Sequence, residues 1–118
     1  MSPTSSEAAR HYAEFQVQTA SHPKRICMLH VRLVELVMLA GEGESEARKR
    51  ILLDKAQNIL SQLQGALRVE DAISQSLFYL YDYCYVLLQR GEDVDLKNVL
   101  EIVVTLRKTF DELLRTIR

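Results

Sequence analysis

The chain has 118 residues and a mass of 13.6 kDa, which is the size of one ordinary domain. Its apolar content of 47% supplies enough side chains for a hydrophobic core, which excludes wholesale disorder. The 15 basic and 16 acidic side chains give a net charge of -1, so the overall charge favours neither nucleic acid nor an anionic membrane as a partner.

The cysteines and the N-terminal residues indicate the compartment. Cys27 and Cys84 are too few for a disulfide scaffold, and their spacing matches no CxxC pair. The first ten residues, MSPTSSEAAR, lack the apolar stretch of a signal peptide, and no run approaches 18 uninterrupted apolar residues. We therefore expect a cytoplasmic protein with reduced thiols and no membrane insertion.

Long helices are favoured because the chain has only four Gly and two Pro, with both prolines in the first 23 residues. Residues 1–11 are rich in Ser and Ala and predict a flexible tail. Residues 12–118 are expected to form a single four-helix-bundle domain. The predicted helices run from Ser21, as N-cap, to about Ala40, from Glu46, capped by Ser45, to about Leu67, from after Asp71 to Arg90, and from about Asp95 to Ile117.

Each predicted helix repeats apolar residues at spacings of three and four, the pattern of a helix with one buried face. The intervening turns are short, and the segment 41–45 holds two of the four glycines. Amphipathic helices joined by short turns lie beside each other in opposite directions. The sequence therefore predicts an all-α protein, an antiparallel up-down four-helix bundle.

Two predicted helices carry more apolar residues than a bundle interior requires. The first helix has a core stripe and, more than 100° away, a second apolar stripe of Cys27, Val31, Val34 and Met38. The third helix has, beyond its core stripe, Phe78, Tyr79, Tyr81, Tyr83, Tyr85 and Val86. Because a four-helix bundle has one interior, these extra faces predict either a covering segment or a binding partner.

These extra apolar faces are also expected for a central helix that is covered by another part of the chain or by a second subunit. The segment before the first helix offers Tyr12, Phe15 and Val17 as apolar side chains. We expect this N-terminal segment to pack as a lid, which a partner can displace because three side chains hold it only weakly.

Residue patterns for catalysis and metal binding are missing from the sequence. No histidine follows a Glu by three positions, as a carboxylate-bridged metal site in a bundle requires, and we expect His30 to flank or line the core. There is no HExxH, Walker, GxGxxG or GxSxG motif. We expect no enzymatic activity, no metal and no cofactor.

Several short segments occur in an order and spacing that a known family shares. They are Tyr12 and Val17 followed by Thr19-Ala20-Ser21, then Met28-Leu29, Lys55-Ala56-Gln57-Asn58-Ile59 and Leu77-Phe78-Tyr79-Leu80-Tyr81-Asp82-Tyr83. On these segments the chain resembles the FliS family of flagellar secretion chaperones over nearly its whole length after Tyr12. The resemblance implies a cytoplasmic, non-enzymatic chaperone that wraps the C-terminal helical segment of flagellin, which is disordered in the monomer, and blocks premature polymerisation until export.

The residues and the resemblance together predict a partner-binding surface. The candidates are Val31, Val34 and Met38 on the first helix, Tyr81, Tyr83 and Tyr85 on the third, and Tyr12 and Val17 in the displaceable lid. The expected partner is the flagellin C-terminal segment, and the resemblance adds the flagellar export gate, with a role for Tyr12. We expect a monomer or a weak dimer.

Some positions depart from the family pattern. Arg25 stands where the family has Leu, and His30-Val31-Arg32 replaces Tyr-Asp-Gly. These departures favour an alternative, a co-chaperone or regulatory binding protein of the same fold with a different flagellar client. A third interpretation is a purely structural bundle whose extra stripe is the seam of a homodimer.

Overall fold

The computed structural model describes residues 22–43, 45–68 and 72–116. They form four helices with the bounds α1 His22–Glu42, α2 Glu46–Gly65, α3 Ala72–Arg90 and α4 Asp93–Thr116. Helix α1 packs on α2 and α4, and α3 packs on the same two, so the helices form a ring in chain order. The prediction of an all-α four-helix bundle is confirmed. The predicted tail and lid lie outside the described residues.

The helix ends follow from local hydrogen bonds. Ser45 has an extended backbone, and its side chain accepts the Arg48 N–H at 3.2 Å, which confirms the predicted N-cap of α2. Helix α3 ends at Arg90, because the next residue, Gly91, has a left-handed φ of 71° and its N–H donates to the Leu87 carbonyl at 2.9 Å. The Asp95 carboxylate accepts the Glu92 N–H at 3.3 Å at the start of α4.

Three helix ends differ from the predicted bounds by two residues. Helix α4 begins at Asp93 because Asp95 is its third residue and caps it from within the first turn. Helix α1 continues to Glu42, since a single glycine such as Gly41 costs a helix only about 1 kcal/mol. Helix α2 ends at Gly65, where the Ala66 N–H closes the last turn.

The centre of the bundle holds a buried polar side chain, His30, between two aromatic rings. Its ring stacks on Phe110 of α4 with centroids 5.0 Å apart, and it lies 5.8 Å from the ring of Tyr81 on α3. His30 Nδ1 lies 2.8 Å from the Ile26 carbonyl and Nε2 lies 2.9 Å from the Tyr81 hydroxyl. Because a carbonyl only accepts, Nδ1 carries the proton and the Tyr81 hydroxyl donates to Nε2. His30, predicted to flank or line the core, is thus a core residue that joins the diagonal helices α1 and α3.

Helices α2 and α3 are joined by a polar ladder, which we define as Arg50, Gln57 and Gln64 of α2. These side chains recur every seven residues and therefore lie on one face of α2. They donate to backbone carbonyls of α3, namely those of Leu88 (3.2 Å) and Gln89 (3.3 Å) from Arg50, Tyr85 (3.1 Å) from Gln57, and Phe78 (3.2 Å) from Gln64. Arg50 also donates to the Gln57 side-chain oxygen at 3.1 Å. The ladder fixes the register of α3 on α2, because Gln57 and Gln64 each meet one backbone carbonyl of α3 and Arg50 meets two adjacent ones.

Substitution of Gln57, the middle residue of the polar ladder, tests how much the ladder contributes to stability. The variant Gln57→Ala should lower the free energy of unfolding by about 1–3 kcal/mol, since it leaves Arg50 and the Gln89 side chain without their shared partner. The neighbouring Asn58→Ala is the matched control, because Asn58 is exposed. Denaturant unfolding measures both variants. Equal stabilities for the two would contradict a structural role for the ladder.

Candidate functional site

Large apolar side chains remain exposed after the core has been filled. Of the eight in the described residues, six lie on α1 and α3, namely Met28, Met38, Leu39, Tyr79, Tyr83 and Val86. Because α1 and α3 are diagonal in the ring, these side chains point to opposite sides of the bundle. We call Met28, Val31, Met38 and Leu39 the α1 surface, and Tyr79, Tyr83 and Val86 the α3 stripe. An exposed apolar surface on a filled bundle is typical of a binding protein.

The structure divides the second apolar stripe of α1 between the core and the surface. Met38 is 49% exposed and Val31 is half-buried, so both are accessible to a partner. Val34 is only 7% exposed and belongs to the core, which corrects its place in the predicted surface. At 100° per residue it lies about 40° from the inward-pointing His30, whereas Val31 and Met38 lie about 80–100° away. The exposed ion pair of Arg32 with Glu35 at 3.2 Å lies within the α1 surface, because Glu35 is four positions after Val31 and four before Leu39.

The structure also separates the tyrosines of α3. Tyr83 is 50% exposed and Tyr85 is half-buried, but Tyr81 is 1% exposed and bonds His30 in the core. Tyr81 therefore lies in the core and not on the predicted partner surface. Its position continues the stripe of Leu77, Cys84 and Leu88 at steps of four, three and four, so the sequence already carried the signal for burial.

Other members of the two surfaces were missed as contact candidates. Tyr79 is 60% exposed and Val86 is 43% exposed, and with Tyr83 they recur at steps of four and three along α3. Such a row is one continuous face of the helix. The remaining candidates, Tyr12 and Val17, lie outside the described residues.

The two thiols are not placed for chemistry. Cys27 and Cys84 are buried and unpaired by any disulfide. Burial raises the pKa of each thiol to about 12, and at Cys27 the Asp111 carboxylate adds to the effect. Both remain protonated and unreactive at neutral pH. In the described ranges, no three His, Cys, Asp or Glu residues are grouped as metal ligands.

One cleft lies between the start of α1 and the end of α2. Its lining consists of Arg25, Ile26, Leu29, Gln62, Gly65 and Ala66. Its volume of about 230 Å³ is below the roughly 300–1,000 Å³ of sites for small molecules. The cleft therefore suits a side chain of a protein partner better than a cofactor. In the described part of the chain, no helix has an apolar stretch long enough to cross a lipid bilayer.

Sequence comparison places the bundle among known proteins. A family model described as "Flagellar protein FliS" matches residues 5–116, which is nearly the whole chain. A search of curated protein sequences gives no match. The residues matched by the family model include all four helices, the α1 surface and the α3 stripe.

Proposed function

The chain belongs to the FliS family of flagellar proteins, and from this premise we propose that it binds the disordered C-terminal helical region of flagellin. Family membership implies a flagellar export chaperone. In the proposed function, the chaperone acts in the cytoplasm, without enzymatic activity, metal or cofactor. It covers the flagellin segment, prevents its premature polymerisation and keeps it competent for export.

The observation that carries this proposal is the exposed apolar area on α1 and α3 of a bundle whose core is already filled. An amphipathic helix can bury its apolar face against such a surface. A disordered client loses conformational entropy when it folds on the surface, which lowers the net affinity. The complex can therefore be specific and still release its client at export.

The proposed contact residues are Val31 and Met38 on α1 and Tyr83 and Tyr85 on α3. Because α1 and α3 face opposite sides, one straight helix cannot contact both surfaces. A client that uses both must wrap around the bundle with two helical segments and a linker. This requirement fits a disordered segment better than a folded partner.

The N-terminal residues complete the proposal. From the sequence alone, we extend the proposal to Tyr12 and Val17 as part of a lid that the client displaces, preceded by a tail of residues 1–11. Residues 12–118 act as a single domain, a monomer or a weak dimer. We extend the proposal to docking at the flagellar export gate through Tyr12. Nucleic acid is not a partner in this function.

Titration with a peptide of the cognate flagellin C-terminus tests the proposal. Calorimetry should show saturable binding, and circular dichroism should show a gain of helix beyond the sum of the components. The variant Met38→Asp should weaken binding roughly tenfold, because it places a charge in the apolar contact. Ile51→Asp is the matched control, since Ile51 is similarly exposed but lies on α2. Wild-type protein that leaves the peptide unbound would contradict the proposed function.

A second candidate keeps the fold and changes the client. Two of the departures from the family pattern, Arg25 and Arg32, are exposed, so they alter the surface that a partner meets. This observation favours a FliS-like co-chaperone or regulatory binder with another flagellar client. A pull-down from flagellated cells distinguishes the two, because retention of a different export protein instead of flagellin supports the second candidate.

A further inference from the structure

The α3 stripe has a single charged side chain at its edge. From Ala72 to Gln89, the only charged residue of α3 is Asp82. Asp82 is exposed, and no ion pair joins it to any other described residue. It lies three positions after Tyr79 and four positions before Val86, so its side chain neighbours these two members of the stripe on the helix surface.

The size and the charge of the stripe both argue against a second copy of this chain as its occupant. The exposed parts of Tyr79, Tyr83 and Val86 provide about 300 Å², well below the ~800 Å² that each partner of a stable dimer buries. A symmetric dimer through the stripe would also bring the two copies of Asp82 together, and like charges in one interface repel. A client segment that also covers the α1 surface supplies the missing area and brings no second Asp82.

We propose that the α3 stripe binds a basic amphipathic helix of the client and that a Lys or Arg of this helix pairs with Asp82. The inference rests on the proposed chaperone function and names the chemistry that one of its two surfaces recognises. Asp82 is thereby a specificity residue, because it sets which face and which register of the client helix can dock.

The Tyr79 ring strengthens this recognition. A cation that pairs with Asp82 also comes near the exposed ring of Tyr79, three positions away on the same side of α3, and aromatic rings attract positive charge. A charged hydrogen bond that is partly shielded by the Tyr79 ring and the Val86 side chain is stronger than the same bond in open water. The apolar residues of the client helix cover Val86 and the ring edges, which excludes water from the ion pair. An acidic helix would place its charge against Asp82 and bind poorly.

The experiment compares Asp82→Asn with Glu101→Gln, an exposed acid on α4 that lies outside the stripe. The probe is the cognate flagellin C-terminal peptide, titrated by calorimetry at low salt and at about 0.5 M salt, where exposed charges are screened. Asp82→Asn should weaken binding roughly fivefold to tenfold at low salt and reduce the salt dependence. Asp82→Lys should weaken it further, and Glu101→Gln should bind like the wild type. Unchanged helicity of each variant checks that the fold is retained.

The outcomes separate this inference from the proposed function. If the wild type does not bind the peptide, the proposed function fails and this inference with it. If the wild type and Asp82→Asn bind with equal affinity and equal salt dependence, the chaperone function stands and the role of Asp82 is overturned. If Asp82→Asn instead forms a dimer in sedimentation, the stripe is a self-association surface, which also overturns the inference.

Discussion

Acid should destabilise this protein through His30, by roughly 3 kcal/mol between about pH 6.5 and pH 4. Burial lowers the pKa of His30 from 6.5 to about 4, and the Ile26 carbonyl and the Asp111 carboxylate offset only part of that effect. In this pH range the unfolded chain takes up a proton at His30 and the folded protein does not. The contribution is fully present above pH 6.5 and is lost as the pH falls through 4, and 2.5 pH units correspond to roughly 3 kcal/mol.

The pH dependence of denaturant unfolding measures this effect, and two variants isolate it from the titration of Asp and Glu. His30→Tyr removes the titrating group and should give a flatter profile between pH 4 and 6.5. Ser61→Ala, at an exposed position of α2, is the control and should keep the wild-type profile. Parallel profiles for His30→Tyr and the wild type would show that His30 does not titrate in this way.

Alanine substitutions of Tyr81 and Tyr83, which are two positions apart, should have opposite effects on stability and on peptide binding. Tyr81→Ala should lower the free energy of unfolding by about 3–5 kcal/mol, because it opens a cavity in the core and leaves His30 Nε2 without its donor. Tyr83→Ala should change it by less than about 1 kcal/mol, since half of this side chain already contacts water. Tyr83→Ala should instead weaken binding of the flagellin peptide.

Denaturant unfolding together with peptide titration checks this pair. Tyr81→Phe is an added control for the cavity, since it keeps the ring and removes only the hydroxyl that bonds His30. Its loss of stability should lie between that of the wild type and that of Tyr81→Ala. A stable Tyr81→Ala with weakened peptide binding would return Tyr81 to the contact surface and contradict its role in the core.

The α1 surface and the α3 stripe lie on helices that are held in the bundle by different interactions. The polar ladder holds the backbone of α3 at Phe78 and Tyr85, which flank most of the α3 stripe. The stripe is therefore presented on a helix whose register on α2 is set by directional bonds. The α1 surface lies on a helix held mainly by apolar packing and by His30. Docking on a preorganised helix loses less entropy in the chaperone, which leaves more of the binding energy for the client.

The sequence by itself determined the helix count, the approximate helix ends and the presence of surplus apolar residues. Periodicity suffices for these features because it reports the burial of one helix face, and capping depends on neighbours within one turn. The N-cap at Ser45 and the termination at Gly91 needed no information from elsewhere in the chain.

Only the tertiary structure decided which surplus residues are buried and which are exposed. Val34 and Val31 belong to one predicted stripe, and Tyr81 and Tyr83 to one aromatic cluster, yet one member of each pair is in the core. The periodicity of apolar residues shows in which direction each side chain points from its own helix axis. It does not show how much of that helix's surface the neighbouring helices cover. The hydrogen bond between His30 and Tyr81 joins residues 51 positions apart in the chain. The polar ladder joins side chains of α2 to backbone carbonyls of α3. Such partners become neighbours only when the helices pack, because no local pattern encodes the register between two helices.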